Sequence, residues 1–89
     1  MLYEHLAYSL MKTQPHKAFD VCNKWVNQFP ASPHGYRALA EVCLVLNRKK
    51  DAIENIKLSL QKAAEMDIAS DQRELLIADL QKRLKEMER

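Results

Sequence analysis

The chain has 89 residues, of which 47% are apolar and 29% charged, with one Gly and three Pro. That is room for one domain, which excludes an enzyme with separate cofactor and substrate lobes. Fourteen basic and twelve acidic side chains leave a formal charge of +2, too small an excess to act as a nucleic-acid footprint by itself.

Local propensity favours helix almost everywhere, because Gly is nearly absent while Leu, Ala, Lys, Glu and Gln are abundant and no alternating β-branched run competes. The reading is five helices and no strands. The first spans about 2–12. Pro15 suits a first helical turn, and a second helix follows to about Phe29, with Pro30 stopping it. Ser32 is an N-cap candidate and Pro33 a first-turn residue for a third helix that continues to about Leu46, its end marked by Asn47. Asp51 falls in the first turn of a fourth helix, where a carboxylate complements the helix dipole, and that helix runs to about Met66. Ser70 and Asp71 open a fifth, which nothing interrupts between Gln72 and Glu88.

Short connections require each helix to fold back antiparallel on the one before it. Sliding the sequence against itself by 34 residues places Leu2 on Tyr36, Leu6 on Ala40, Leu10 on Leu44, Ala18 on Ala52, Phe19 on Ile53, Cys22 on Ile56 and Val26 on Leu60. Apolar meets apolar at every pair, at the length of one helix-turn-helix repeat.

On these residues the chain resembles the tetratricopeptide repeat family. The second unit carries Tyr36, Leu39, Ala40 and Cys43 and then Ala52, Ile56 and Leu60, while the first carries Leu2, Leu6 and Ser9, then Ala18, Cys22 and Val26, closing on Pro30. The likeness covers about 1–66 and implies one all-α domain, 1–89. Antiparallel hairpins at about 1–32 and 33–66 stack in it as a short right-handed superhelix, under a capping helix at 70–88. Trp25 and Ser59 depart from it, occupying a site the family fills with alanine, so Trp25 is expected to point out of the tight crossing. Ala64 replaces a second closing proline, which lets the fourth helix run on through Gln61 to Met66.

The resemblance further implies a concave groove that receives an extended peptide or a partner helix. Its walls are expected to be Tyr3, Ala7, Leu10 and Met11 from the first unit and His34, Arg37, Glu41, Leu44 and Val45 from the second. Members that hold an acidic chaperone C-terminus need Lys and Asn where this chain has Tyr3, Ala7, Arg37 and Glu41. Glu41 would repel a carboxylate, which excludes that subtype.

Chemistry-bearing constellations are sparse. His5, His16 and His34 have no helix-face partner except Glu4 beside His5, and Cys22 and Cys43 lack zinc-site spacing, so both read as small buried hydrophobes. Gly35 alone cannot make a phosphate loop. Neither an enzyme nor a cofactor or metal site is expected. Asn47-Arg48-Lys49-Lys50 reads as a solvated turn, since Asp51 and Glu54 follow at once, and no nucleic-acid partner is expected. No membrane partner is expected either: the longest apolar run, 42–46, is far short of a bilayer span. The start Met1-Leu2-Tyr3-Glu4-His5 lacks the basic and apolar regions of a secretory signal, and the cysteines are not placed as disulfide staples, which points to a reducing, cytoplasmic setting.

In the fifth helix Ile77, Leu80, Leu84 and Met87 recur at spacings of three, four and three. This stripe either covers the open end of the stack or forms the seam of a homo-oligomer. The leading expectation is therefore a non-catalytic protein-protein interaction module, with self-association through the fifth helix or through an open repeat end as the alternative.

Overall fold

The computed structural model describes residues 2–89, and Met1, on which the reading of the N-terminal stretch partly rests, lies outside the described residues. Five helices account for nearly all of them: α1 Leu2–Met11, α2 Pro15–Gln28, α3 Pro33–Val45, α4 Lys49–Ala64 and α5 Ser70–Glu88, with no strand among the described residues. No described helix is long and apolar enough to cross a membrane.

The boundaries follow from local chemistry. Pro15 and Pro33 occupy the first turns of α2 and α3, where a missing amide hydrogen is no loss. The Ser32 hydroxyl accepts from the His34 amide, though at 3.4 Å the bond is long. α3 ends in a Schellman turn: Asn47 adopts the left-handed conformation with φ 62°, its amide donating to the Leu44 carbonyl at 3.1 Å and that of Arg48 to the Cys43 carbonyl at 2.8 Å. α4 stops at Ala64, two residues short of the expected Met66. With no proline to break it, the helix closes through Glu65, whose amide reaches back to Gln61 and Lys62.

α1 packs on α2, α3 on α4, α2 on α3, and α5 on α4, with α1 also touching α3. The core is a continuous line of small and large side chains, Ala7, Ala18, Cys22 and Trp25 meeting Ala38, Ala40, Val42 and Cys43, then Ala52, Ile56 and Ala63, and finally Leu80 and Met87. Alanines at the crossings let the backbones approach, and larger neighbours fill the spaces beside them.

Trp25 corrects the sequence reading. Its side chain does not point away: it is 1% exposed and wedged between the hairpins. One face stacks on Tyr3, with ring centroids 6.4 Å apart and planes 15° from parallel, and Phe29 meets Tyr3 edge-on. Gly35 makes the room on α3. A Cβ there would stand 3.0 Å from Val26 Cγ1 and 3.3 Å from Trp25 Cγ. The pattern that assigns a small residue to position 25 is satisfied by moving the small residue to the facing helix. The indole Nε1 is buried without a hydrogen-bond partner, so the ring is held by shape and stacking against a desolvation cost of about 1–3 kcal/mol. Ser59, the other departure, is fully buried and donates to the Pro33 carbonyl at 2.7 Å, tying α4 to the start of α3.

This junction generates a stability prediction. Trp25→Ala should lower stability by about 3–5 kcal/mol through the cavity it leaves, and Gly35→Val by about 1–3 kcal/mol through overpacking, both read from urea-unfolding midpoints. A Gly35→Val protein as stable as wild type would mean that the two helices have slack between them.

Candidate functional site

The side chains with chemical potential gather on the face shared by α1, α3 and α5. Glu4, Tyr8 and Met11 come from α1 and His34, Arg37 and Glu41 from α3, lining a cleft of about 330 Å³. Helical spacing explains the set. Residues 4, 8 and 11 form one stripe of α1 and residues 34, 37 and 41 one stripe of α3, and the packing of α2 against both α1 and α3 sets the two helices side by side with these stripes facing the cleft.

α5 does not line the cleft but braces its α3 side through two ion pairs. Arg37 Nη1 meets Asp79 Oδ2 at 2.5 Å, and Arg83 embraces Glu41 through Nε at 2.7 Å and Nη2 at 2.6 Å. The second pair is a bidentate fork with side chains 28% and 18% exposed, well placed to hold α5 against α3. Hydrogen bonding to Glu41 raises the Arg83 guanidinium further above its already high ordinary value. Desolvation raises the Tyr8 phenol above its usual range while Arg37 pulls it down, so at neutral pH the ring presents a neutral hydroxyl.

Of the nine residues expected to line a groove, Met11, His34, Arg37 and Glu41 do border this cleft. Ala7 is fully buried, and Tyr3 is turned onto Trp25 and Phe29. Leu10 and Leu44 are half-buried against the core, and Val45 is exposed at the end of α3. On α3 the expected residues His34, Arg37 and Glu41 line this cleft, whereas on α1 Glu4 and Tyr8 line it beside Met11 in place of Tyr3 and Ala7. Tyr8, 42% exposed, is the residue that sequence reasoning missed. Its separation from Met11 and Glu4 by one helical turn each was the available signal.

The exclusion of an acidic ligand rested on a free Glu41, and here that carboxylate is neutralised by Arg83. Arg37 is likewise paired, so the floor of the cleft carries alternating charges that are already matched. On α5, Leu80 and Met87 are buried within the chain, and Ile77 and Leu84 pack against the same core. Leu80 and Met87 thus cover the second hairpin, while Ile77 and Leu84 are left half-buried.

Other candidates are less chemical. A larger hollow of about 620 Å³ lies at one end, between the α2–α3 and α4–α5 connections, with Phe29, Pro30, Met66 and Ile68 among its lining. Its lining comes mostly from the two connections and mixes these apolar residues with Gln28, Ser32, Glu65 and Asp67. Cys22 and Cys43 are free and buried, and burial pushes the Cys22 thiol up to about 12 and raises Cys43 as well, so neither is a thiolate nucleophile. No group of three His, Cys, Asp or Glu that could hold a metal occurs among the described residues. No family model, curated protein or solved structure matches the chain.

Two measurements follow. A double-mutant cycle on Glu41→Gln and Arg83→Gln should give a coupling of about 1 kcal/mol that shrinks as salt rises, and a coupling of zero would remove the fork as a tether for α5. Iodoacetamide at pH 8 should label both thiols slowly in the folded protein and rapidly in urea. A thiol that stays protonated when folded and ionises when unfolded contributes stability that is fully present below about pH 9 and is lost as pH climbs toward about 12. The urea midpoint should fall over that window, and less steeply in Cys22→Ala.

Proposed function

We propose that this chain is a non-catalytic protein-interaction module: a short tetratricopeptide-like scaffold, its two hairpins stacked as a right-handed superhelix capped by α5, that takes an extended peptide or a partner helix in the cleft between α1 and α3. Repetition supports the scaffold reading. The 34-residue period of the sequence coincides with a hairpin followed by a second hairpin, and the small residues Ala18, Ala40 and Ala52 are all fully buried in the core.

The observation that carries the binding reading is Tyr8. An amphipathic ring left part-exposed beside a floor of paired charges offers apolar area and a hydroxyl at low entropic cost, the combination favoured where proteins bind one another. His34, exposed across the cleft, supplies a second polar contact to a peptide backbone. The buried free thiols favour a reducing compartment, in line with a cytoplasmic setting.

Self-association is the second reading, and what favours it is α1 rather than α5. Leu2 and Leu6 are exposed on the side of α1 that carries no other helix, a face on which a second chain could pack.

The test is selection from a displayed peptide library against wild type and Tyr8→Ala, with folding checked by circular dichroism. Peptides recovered on wild type should bind Tyr8→Ala and His34→Glu about tenfold more weakly, because truncating an interface aromatic typically costs more than 1 kcal/mol. Equal binding by all three proteins would remove the cleft as the site. Sedimentation of wild type and Leu6→Glu separates the alternative, since only self-association through α1 makes the wild type heavier.

A further inference from the structure

We infer that the end of the molecule opposite the large hollow is a second interaction surface, built for an extended acidic protein segment. Read along the chain, the basic residues are scattered and nearly balanced by acids. The up-and-down course of the helices gathers them. The α1–α2 turn, the α3–α4 turn and the last turns of α5 all lie at one end, which brings together Lys12, Lys17, Arg48, Lys49, Lys50 and Lys85, every one of them exposed.

Two contacts fix this gathering. The Arg48 guanidinium sits 5.3 Å from the centroid of the Phe19 ring, locking the α3–α4 turn against the start of α2. Lys49 Nζ donates to the Arg89 main-chain oxygen at 2.5 Å, bringing the end of α5 alongside the first turn of α4. At the other end the α4–α5 connection carries Glu65, Asp67, Asp71 and Glu74 against Lys62 and Arg73. The net charge of +2 thus conceals a molecule with a basic end and an acidic end.

The chemistry of the basic end selects among anions. Stacking of bases needs a free aromatic face: Phe19 is half-buried beneath Arg48, and Tyr8, one turn in from Lys12, is part-buried against the cleft. Asp20, Asp51 and Glu54 stand beside the lysines, with Glu86 and Glu88 on α5. A phosphate backbone or an anionic bilayer would meet these carboxylates together with the lysines, whereas a flexible chain with discrete Asp and Glu side chains can pair with the cations and pass the acids by. Arg48 and the rigid Schellman turn at Asn47 supply a preformed anchor in the middle of the row.

The experiment uses the full chain and a short fluorescein-labelled poly-glutamate peptide, followed by anisotropy. Binding should appear at low salt and weaken as salt rises, and Lys17→Glu/Lys50→Glu should weaken it by about tenfold or more. Lys12→Gln/Lys17→Gln, a milder pair at exposed positions, should weaken it to a smaller degree, and Tyr8→Ala should leave it unchanged. That last variant separates this surface from the cleft: loss of poly-glutamate binding in Tyr8→Ala would place the peptide in the cleft and overturn the assignment, while the cleft proposal would survive. Undiminished binding by both lysine variants would overturn it, as would tighter binding of oligouridylate RNA or of phosphatidylserine vesicles than of the peptide.

Discussion

The fit of Trp25 against Gly35 is the constraint on which the rest of the arrangement depends. Hairpins of two helices cannot bury a core alone, and their association here turns on one bulky ring entering one missing side chain. Once α2 and α3 are seated in this way, Tyr3 is drawn onto the indole, α1 is fixed in rotation, and Glu4 and Tyr8 are left facing the cleft.

The far side of the cleft is governed by charge. α5 brings two residues one turn apart, Asp79 and Arg83, to two residues one turn apart on α3, Arg37 and Glu41, in matched order. The hydrophobic stripe of α5 supplies the attraction to the second hairpin, and the ion pairs set its register along the helix. This division of labour leaves the cleft polar at its base without leaving it charged.

Much of this was legible in the sequence. Prolines at 15 and 33, Asn47 and the helix-favouring composition placed every helix to within a few residues, because capping and propensity are local effects. The stripe on α5 was also readable as a cover, since amphipathic spacing reports a face. Orientation of α1 was not readable. It depends on where Trp25 goes, and that is decided by a residue ten positions later on another helix. The ion pairs span a separation of 42 residues in the chain, and nothing in local spacing announces them. The basic end was invisible for a similar reason: its members are separated in the sequence by their own acidic neighbours and meet only through topology.

The open flank of α1 carries a consequence for how the molecule responds to company. Its main neighbours are α2 and α3, it is the shortest of the helices, and Leu2 and Leu6 remain wet, so it is the element most cheaply released from the body. Tyr8 and Glu4 ride on it. Anything gripping the cleft must therefore also quieten the least anchored segment, and part of the free energy of capture is spent on order. On the proposed reading of the cleft, affinity and rigidity at this edge rise together, and a substitution that merely steadies α1 would sharpen capture without touching the guest.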